Sequence, residues 1–327
     1  MNSNNEVLLF ALQSAKDSPV SLTAANYIGA YDIEVSPYEG EKKTSNLAKA
    51  HDGHNLMHNA NPHMAYSFKV DLPMMLVADV NGAPVVGELL KNTGHEENIV
   101  TDTGSEHVNY SLIDSTQYDA VPFATMEYYK GNILYTLNNA RGELTGIEVS
   151  ALGFITLSFS GFADYTKPAH VATLPTVDRT PWEKLLPVNA ANTPVAKAYG
   201  RDCILKTMQL SPALSSSYKN YVGSQGARYQ GGSRQPTLSL GIQAELLTDY
   251  DAFAQLESHA GTVATGGFEL QHGTESGNNF GIKAPRLQLT DVSPGDDEGL
   301  IHFNLSSNVL YTNGNDDYVL IFNKFIA

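Results

Sequence analysis

Four of the ten histidines, His51, His54, His58 and His63, crowd into one short stretch, and gathered imidazoles are the usual beginning of a transition-metal site. His54 and His58 stand four apart, the spacing of two ligands on one helical turn. The setting argues against that chemistry. No glutamate follows His54 where a zinc protease needs one, no cysteine is near, and the neighbours in "AHDGHNLMHNANPH" are those of a solvated loop. A second pattern, "SSYK" from Ser216 to Lys219, matches the Ser-x-x-Lys of acyl enzymes but lies in a glycine-rich loop. The acidic groups Glu96-Glu97, Asp296-Asp297-Glu298 and Asp316-Asp317 offer oxygens for calcium, yet adjacent carboxylates on a strand diverge and none follows the spaced loop of a calcium site. There is no Gly-x-Ser-x-Gly elbow, no Walker loop and no dinucleotide fingerprint after a strand. The expectation is a protein with no catalytic residue, no metal and no cofactor.

The elements that would position such groups are mostly strands. Tyr31, Ile33 and Val35 alternate with Asp32 and Glu34, and Tyr66, Phe68, Val70 and Leu72 with Ser67, Lys69 and Asp71. Ile155, Leu157 and Phe159, then Leu238, Leu240 and Ile242, then Ile301, Phe303 and Leu305 repeat the pattern, which puts one face of an antiparallel sheet in a core. Helical patterning is confined to 83–94, with Pro84 in its first turn and Gly94 as its stop, and 249–261, with Asp249 or Asp251 as cap and Gly261 as stop.

The totals set limits on partners. The 327 residues carry 20 Lys and Arg against 35 Asp and Glu, a net charge of −15, which disfavours gripping phosphates or anionic lipid. The tyrosines Tyr128, Tyr129, Tyr218, Tyr221 and Tyr229 are placed by their number in a β-rich chain as packing residues before base- or sugar-stacking ones. The lone cysteine, Cys203, excludes an internal disulfide and reads as a small packed residue. The apolar run Val7 to Leu12 has no basic segment before it and no small-residue cleavage site beyond, so it does not read as a signal peptide, and no run is long enough for a membrane helix.

Residues 167–200 hold a third of the 15 prolines, which suits an extended linker pinned by Trp182 and suggests a first β domain over 1–166 and a second over 201–327. The halves echo each other. "DIEVSP" (32–37) matches "TMQLSP" (207–212), "AYSFKVDL" (65–72) matches "TLSLGIQA" (237–244), a short helix follows in each, and "GELTGI" (142–147) matches "GNNFGI" (277–282). The order points to a degenerate tandem duplication, with Gly142, Gly146, Gly277 and Gly281 as its hairpin glycines and 95–123 as an extra stretch of the first half. Each half also holds a long polar loop between its first two paired strands, 38–63 and 213–236, of a length that is generally functional.

The N-terminal "EVLLFALQSAKDSPVSLTAANYIGAYDIEVSP", the central "FATMEYYKGNILYTLNNARGELTGIEVSALGFITLSFSGF" and the following "LPTVDRTPW" together resemble the tail tube proteins of long-tailed, siphovirus-type bacteriophages over roughly residues 6 to 185. The resemblance implies tube-like β-sandwich or barrel domains, each with one short helix, forming part of a ring around a DNA channel. It implies a virion protein assembled in the host cytoplasm, whose partners are itself, tail tape-measure and tail terminator proteins, and double-stranded DNA passing without specific binding. Two tube domains per chain favour a homotrimeric, pseudo-hexameric ring, with a homohexamer as the alternative. The long loops would then stack rings through Tyr38, His54, His58, Tyr218, Tyr221 and Arg228. A virion decoration or glycan-binding β-protein is the competing reading.

Overall fold

The structure, a computed structural model, describes residues 5–46, 53–73, 84–101, 106–229, 234–245, 250–257, 264–275, 278–297, 299–312 and 314–323. It is mainly β. The first half runs β1 (Glu6–Leu12), β2 (Tyr27–Ile28), β3 (Ala30–Glu39), β4 (Lys42–Thr44), β5 (Met57–Asn59), β6 (His63–Asp71), helix α1 (Gly87–Asn92), β7 (His95–Val100), β8 (His107–Leu112), β9 (Ala124–Lys130), β10 (Ile133–Ser150), β11 (Ile155–Asp164) and β12 (Ala169–His170). The second runs β13 (Val195–Ala198), β14 (Arg201–Asp202), β15 (Leu205–Ser211), β16 (Ser216–Tyr221), β17 (Ser224–Tyr229), β18 (Thr237–Gln243), helix α2 (Ala252–Leu256), β19 (Gly266–Glu275), β20 (Asn278–Asp297), β21 (Leu300–Val309) and β22 (Val319–Phe322).

The period-two pattern does what it predicts. Along β6, Met64, Tyr66, Phe68 and Val70 are buried while Ser67 and Lys69 are not, and β11 and β18 alternate likewise, each buried Leu or Phe contributing about 1.5–3 kcal/mol by leaving water. Both helices are shorter than their sequence patterns. Gly94, at φ +80, ends the turn after α1, and Asp251 caps α2 by accepting from the backbone of Phe253 and Ala254.

One order of pairings occurs twice. In the first half β3 pairs β6, β6 pairs β11, and β11 pairs the C-terminal part of β10. In the second β15 pairs β18, β18 pairs β21, and β21 pairs the C-terminal part of β20. The registers agree: Val35 faces Tyr66 and Ser36 faces Ala65, as Leu210 faces Leu238 and Ser211 faces Thr237. The N-terminal part of each long strand bends into a second layer, β10 onto β9 and β1, β20 onto β19 and β13. Short β12 flanks β10 there as β22 flanks β20. The hairpin of β7 and β8, from the unmatched 95–123 stretch, has no second-half counterpart among the described residues and extends the second half's outer layer by pairing β8 with β22.

The segment 167–200 thus contains β12 and, at its end, the strand that opens the second set of pairings. Trp182 is buried and donates from Nε1 to the Tyr27 carbonyl at 2.9 Å, pinning the segment to the first half. The halves are also joined directly. β10 pairs β15 through Ile147 with Leu210, Glu148 with Gln209, Val149 with Met208 and Ser150 with Thr207, and one hydrophobic cluster runs through both. The strand network branches at β10 and β20, and no circuit of pairings closes among the described residues.

The glycine match needs correction. Both long strands carry an extra residue, Thr145 and Thr290, whose hydroxyls donate to the partner strand's carbonyls of Ser158 at 3.0 Å and Ser306 at 2.9 Å. The counterpart of "GELTGI" is therefore "LQLTDV" (287–292), where Leu289, Thr290 and Val292 stand for Leu144, Thr145 and Ile147. Gly142 and Gly146 lie inside β10 and Gly281 inside β20, so none is a turn glycine; the β10–β11 turn is formed around Leu152 at φ +67 and Gly153. Gly277 lies outside the described residues. The motif misled because two glycines and an isoleucine constrain little, whereas register is set by which residues share the buried face.

Candidate functional site

The motifs weighed for chemistry are placed as follows. His54 and His58 are exposed, His63 is half-buried and stacked on Tyr218 with centroids 4.5 Å apart, and His51 lies outside the described residues. Among the described residues no group of three or more side chains that could hold a metal forms. Ser216 and Lys219, three apart on β16, point to opposite faces of the strand. The acidic groups are taken up locally: Glu97 by Tyr110 and Lys91, Asp296 by the Gly299 backbone, Asp317 by Arg234 at 2.5 Å. No helix of the described residues is long and apolar enough to cross a membrane.

What the fold builds instead is a continuous layer of eight strands in the order β3, β6, β11, β10, β15, β18, β21, β20. One face is apolar and buried. The other presents Asp32, Glu34, Ser67, Lys69, Asp71, Thr156, Ser158, Glu148, Ser150, Thr207, Gln209, Ser239, Asn304 and Asp291, and it is dished where β10, β15, β18 and β21 meet. Among the residues just named the carboxylates outnumber the lysine, Lys69, which pairs with Asp32 at 3.3 Å. The layer ends at β3 and at the C-terminal part of β20, where no second pairing is present among the described residues. Each end strand contains a proline, Pro37 and Pro294, which withholds one ladder donor and limits indiscriminate pairing.

The second long loop forms the β16–β17 hairpin, and it packs on the first half of its own chain. Tyr218 is buried, donating to Asp164 at 2.6 Å, so it is an internal anchor and not a ring-stacking residue as expected. Tyr229 is buried too, its hydroxyl shared between the Asn92 and Gly142 carbonyls at 2.7 and 2.6 Å. Glu143 accepts from the Ser216 backbone and from Ser160 Oγ at 3.1 Å, and burial pushes its carboxyl above the ordinary range. Tyr221 and Arg228 remain exposed near the hairpin, the guanidinium donating to Ser224. The first loop forms the β4–β5 hairpin, which carries His58, with Tyr38 at its base edge-on to Tyr165 at 4.9 Å.

Sequence reasoning missed Glu143 and Asn92, the residues that receive the hairpin. A glutamate between two strand residues reads as a solvent-facing one, and only the hairpin folding back makes it an anchor. Neither a scan against protein-family models nor a search of curated proteins matches this chain.

Proposed function

We propose that this chain is a structural subunit of a self-assembling tube, the tail tube of a long-tailed bacteriophage, and that it has no catalytic role. One observation carries the reading: a seam between β10 and β15 joins two equivalent four-strand layers edge to edge, and the chain's free edges, on β20 and β3, are the internal counterparts of the two edges already joined. A second copy meeting this edge with its own would extend the layer by the same geometry and remove exposed ladder groups. Two equivalent layers per chain make the threefold ring, with approximate sixfold symmetry, the economical closure; a ring in which only one layer of each chain lines the wall would need six chains.

In this reading the two halves act as tandem tube-like domains and the polar face lines the channel. A wall bearing Asp32, Glu34, Asp71, Glu148 and Asp291 repels phosphates and lets duplex DNA slide, where a basic wall would bind it with counterion release. The rings stack axially, and tape-measure and terminator proteins set the tube's length.

Electron microscopy of the purified chain, with native mass spectrometry to count subunits, tests this. Rings or tubes of three chains are expected. Six per ring would replace the trimer with the hexamer. Discrete monomers at high concentration, or compact oligomers that bind glycans, would refute the tube.

A further inference from the structure

The seam between β10 and β15 records how two edges of this sheet read each other. Ile147 faces Leu210, Glu148 faces Gln209 and Val149 faces Met208. The apolar pairs are buried on the core side. The polar pair is exposed on the open face, where Gln209 Nε2 donates to Glu148 Oε1 at 3.5 Å. One strand supplies the acid and the other the donor, so no two carboxylates meet across the seam.

Each seam strand has a counterpart whose outer edge is unpaired among the described residues. β20 matches β10 through the extra threonines Thr290 and Thr145, so Val292, Ser293 and Pro294 stand for Ile147, Glu148 and Val149. β3 matches β15 through "DIEVSP" and "TMQLSP", so Val35, Glu34 and Ile33 stand for Leu210, Gln209 and Met208. Carried onto the free edges, the seam's register sets Val292 opposite Val35, Ser293 opposite Glu34 and Pro294 opposite Ile33, with Asp291 opposite Ser36 one step on. Val292 and Ile33 are buried, so apolar side chains meet on the core side. On the open face Glu34 and Asp291 each fall opposite a hydroxyl, the acid and the donor having changed strands relative to the seam. Other alignments are penalised. A one-residue slip turns the apolar set to the open face. A two-residue slip sets Asp291 against Glu34, and two β3 edges meeting would bring Asp32 and Glu34 against the same carboxylates of the other copy.

We propose that β20 of one copy pairs antiparallel with β3 of the next in this one register, Ser293 Oγ donating to the Glu34 carboxylate, and that the acids of β3 exclude pairing between like edges. The occupant of each free edge is a second copy of this chain, joined head to tail, and the internal seam is the template. The inference rests on the side-by-side assembly proposed above and deepens it, from an edge that another copy can extend to an edge that takes one partner strand in one alignment.

The test uses full chains in a Cys203→Ala background, one carrying Ser293→Cys and the other Glu34→Cys, assembled together and treated with the shortest bis-methanethiosulfonate, since Cβ atoms directly opposite lie roughly 4.5–5.5 Å apart. A covalent dimer containing one of each chain is expected, formed in rings and not in dilute monomer. Asp291→Cys in place of Ser293→Cys should link less, and a preference for it would overturn the register and leave the ring standing. Rings with neither dimer would overturn the edge pairing. Failure of the native chain to form rings would overturn the assembly as well. Ser293 and Glu34 are exposed, so Ser293→Asp should leave unfolding of the monomer like the parent's. It should need about fivefold more protein to assemble, and adding Glu34→Lys should restore assembly. Assembly of Ser293→Asp at the parent's concentration would also overturn the register.

Discussion

His95 gives a quantitative test of how the inserted hairpin is held. Its ring is buried between the halves: Nε2 lies 2.7 Å from Tyr318 Oη, and Nδ1 lies 3.3 Å from the Leu90 carbonyl and 3.2 Å from Thr93 Oγ1. A neutral imidazole satisfies this arrangement, with Nδ1–H donating to Leu90 and Nε2 accepting from Tyr318. Burial, aided by the Arg234 charge, pushes the imidazolium pKa from 6.5 down to about 4. Because the folded pKa is depressed, the unfolded chain binds the proton first as pH falls, and stability is lost between 6.5 and 4. From those two values the linked loss between pH 7 and pH 5 is about 2 kcal/mol. Urea unfolding at both pH values, for the native chain and His95→Gln, isolates this contribution, since the amide can keep both hydrogen bonds and does not titrate. The native chain should lose about 2 kcal/mol more than the variant. Equal losses would refute the claim that a neutral, buried His95 ties β7 to the segment before β22.

Three further predictions concern β10 and the polar face. Gly142→Val should cost about 1–3 kcal/mol in thermal unfolding, because a Cβ there would meet Tyr66 Oη at 2.8 Å and the Ser160 carbonyl at 3.1 Å. Gly146→Ala should change stability by less than about 0.5 kcal/mol, its nearest neighbour being the Leu210 carbonyl at 3.9 Å. Replacing Glu148 and Asp291 by lysine should leave the fold intact and make assembled protein retain duplex DNA at low salt, measured by co-sedimentation; absence of any retention would count against these residues lining the channel.

The strands were readable because alternation writes burial into the chain. Phe68, Leu157 and Leu240 are buried where the pattern put them. The Ser-Pro strands and those after the loops matched in register, since each match spans several buried positions at once. The glycine pair did not match, because no buried side chain defined it. The loops were legible as long and polar but not as hairpins with opposite fates, for nothing local tells Tyr218 that Asp164 waits across the seam while Met57 meets solvent.

By itself, the order of residues determined a mainly β protein with a negative net charge. Those are properties of periodicity and charge, which are local or additive. Only the tertiary structure decided that β10 and β15 share an edge, that an inserted hairpin from one half completes the outer layer of the other, and that the β16–β17 hairpin is anchored on the first half while Leu56 and Met57 stay exposed. Such choices depend on which distant surfaces meet, and each is worth a few hydrogen bonds and buried rings that no short stretch of chain encodes.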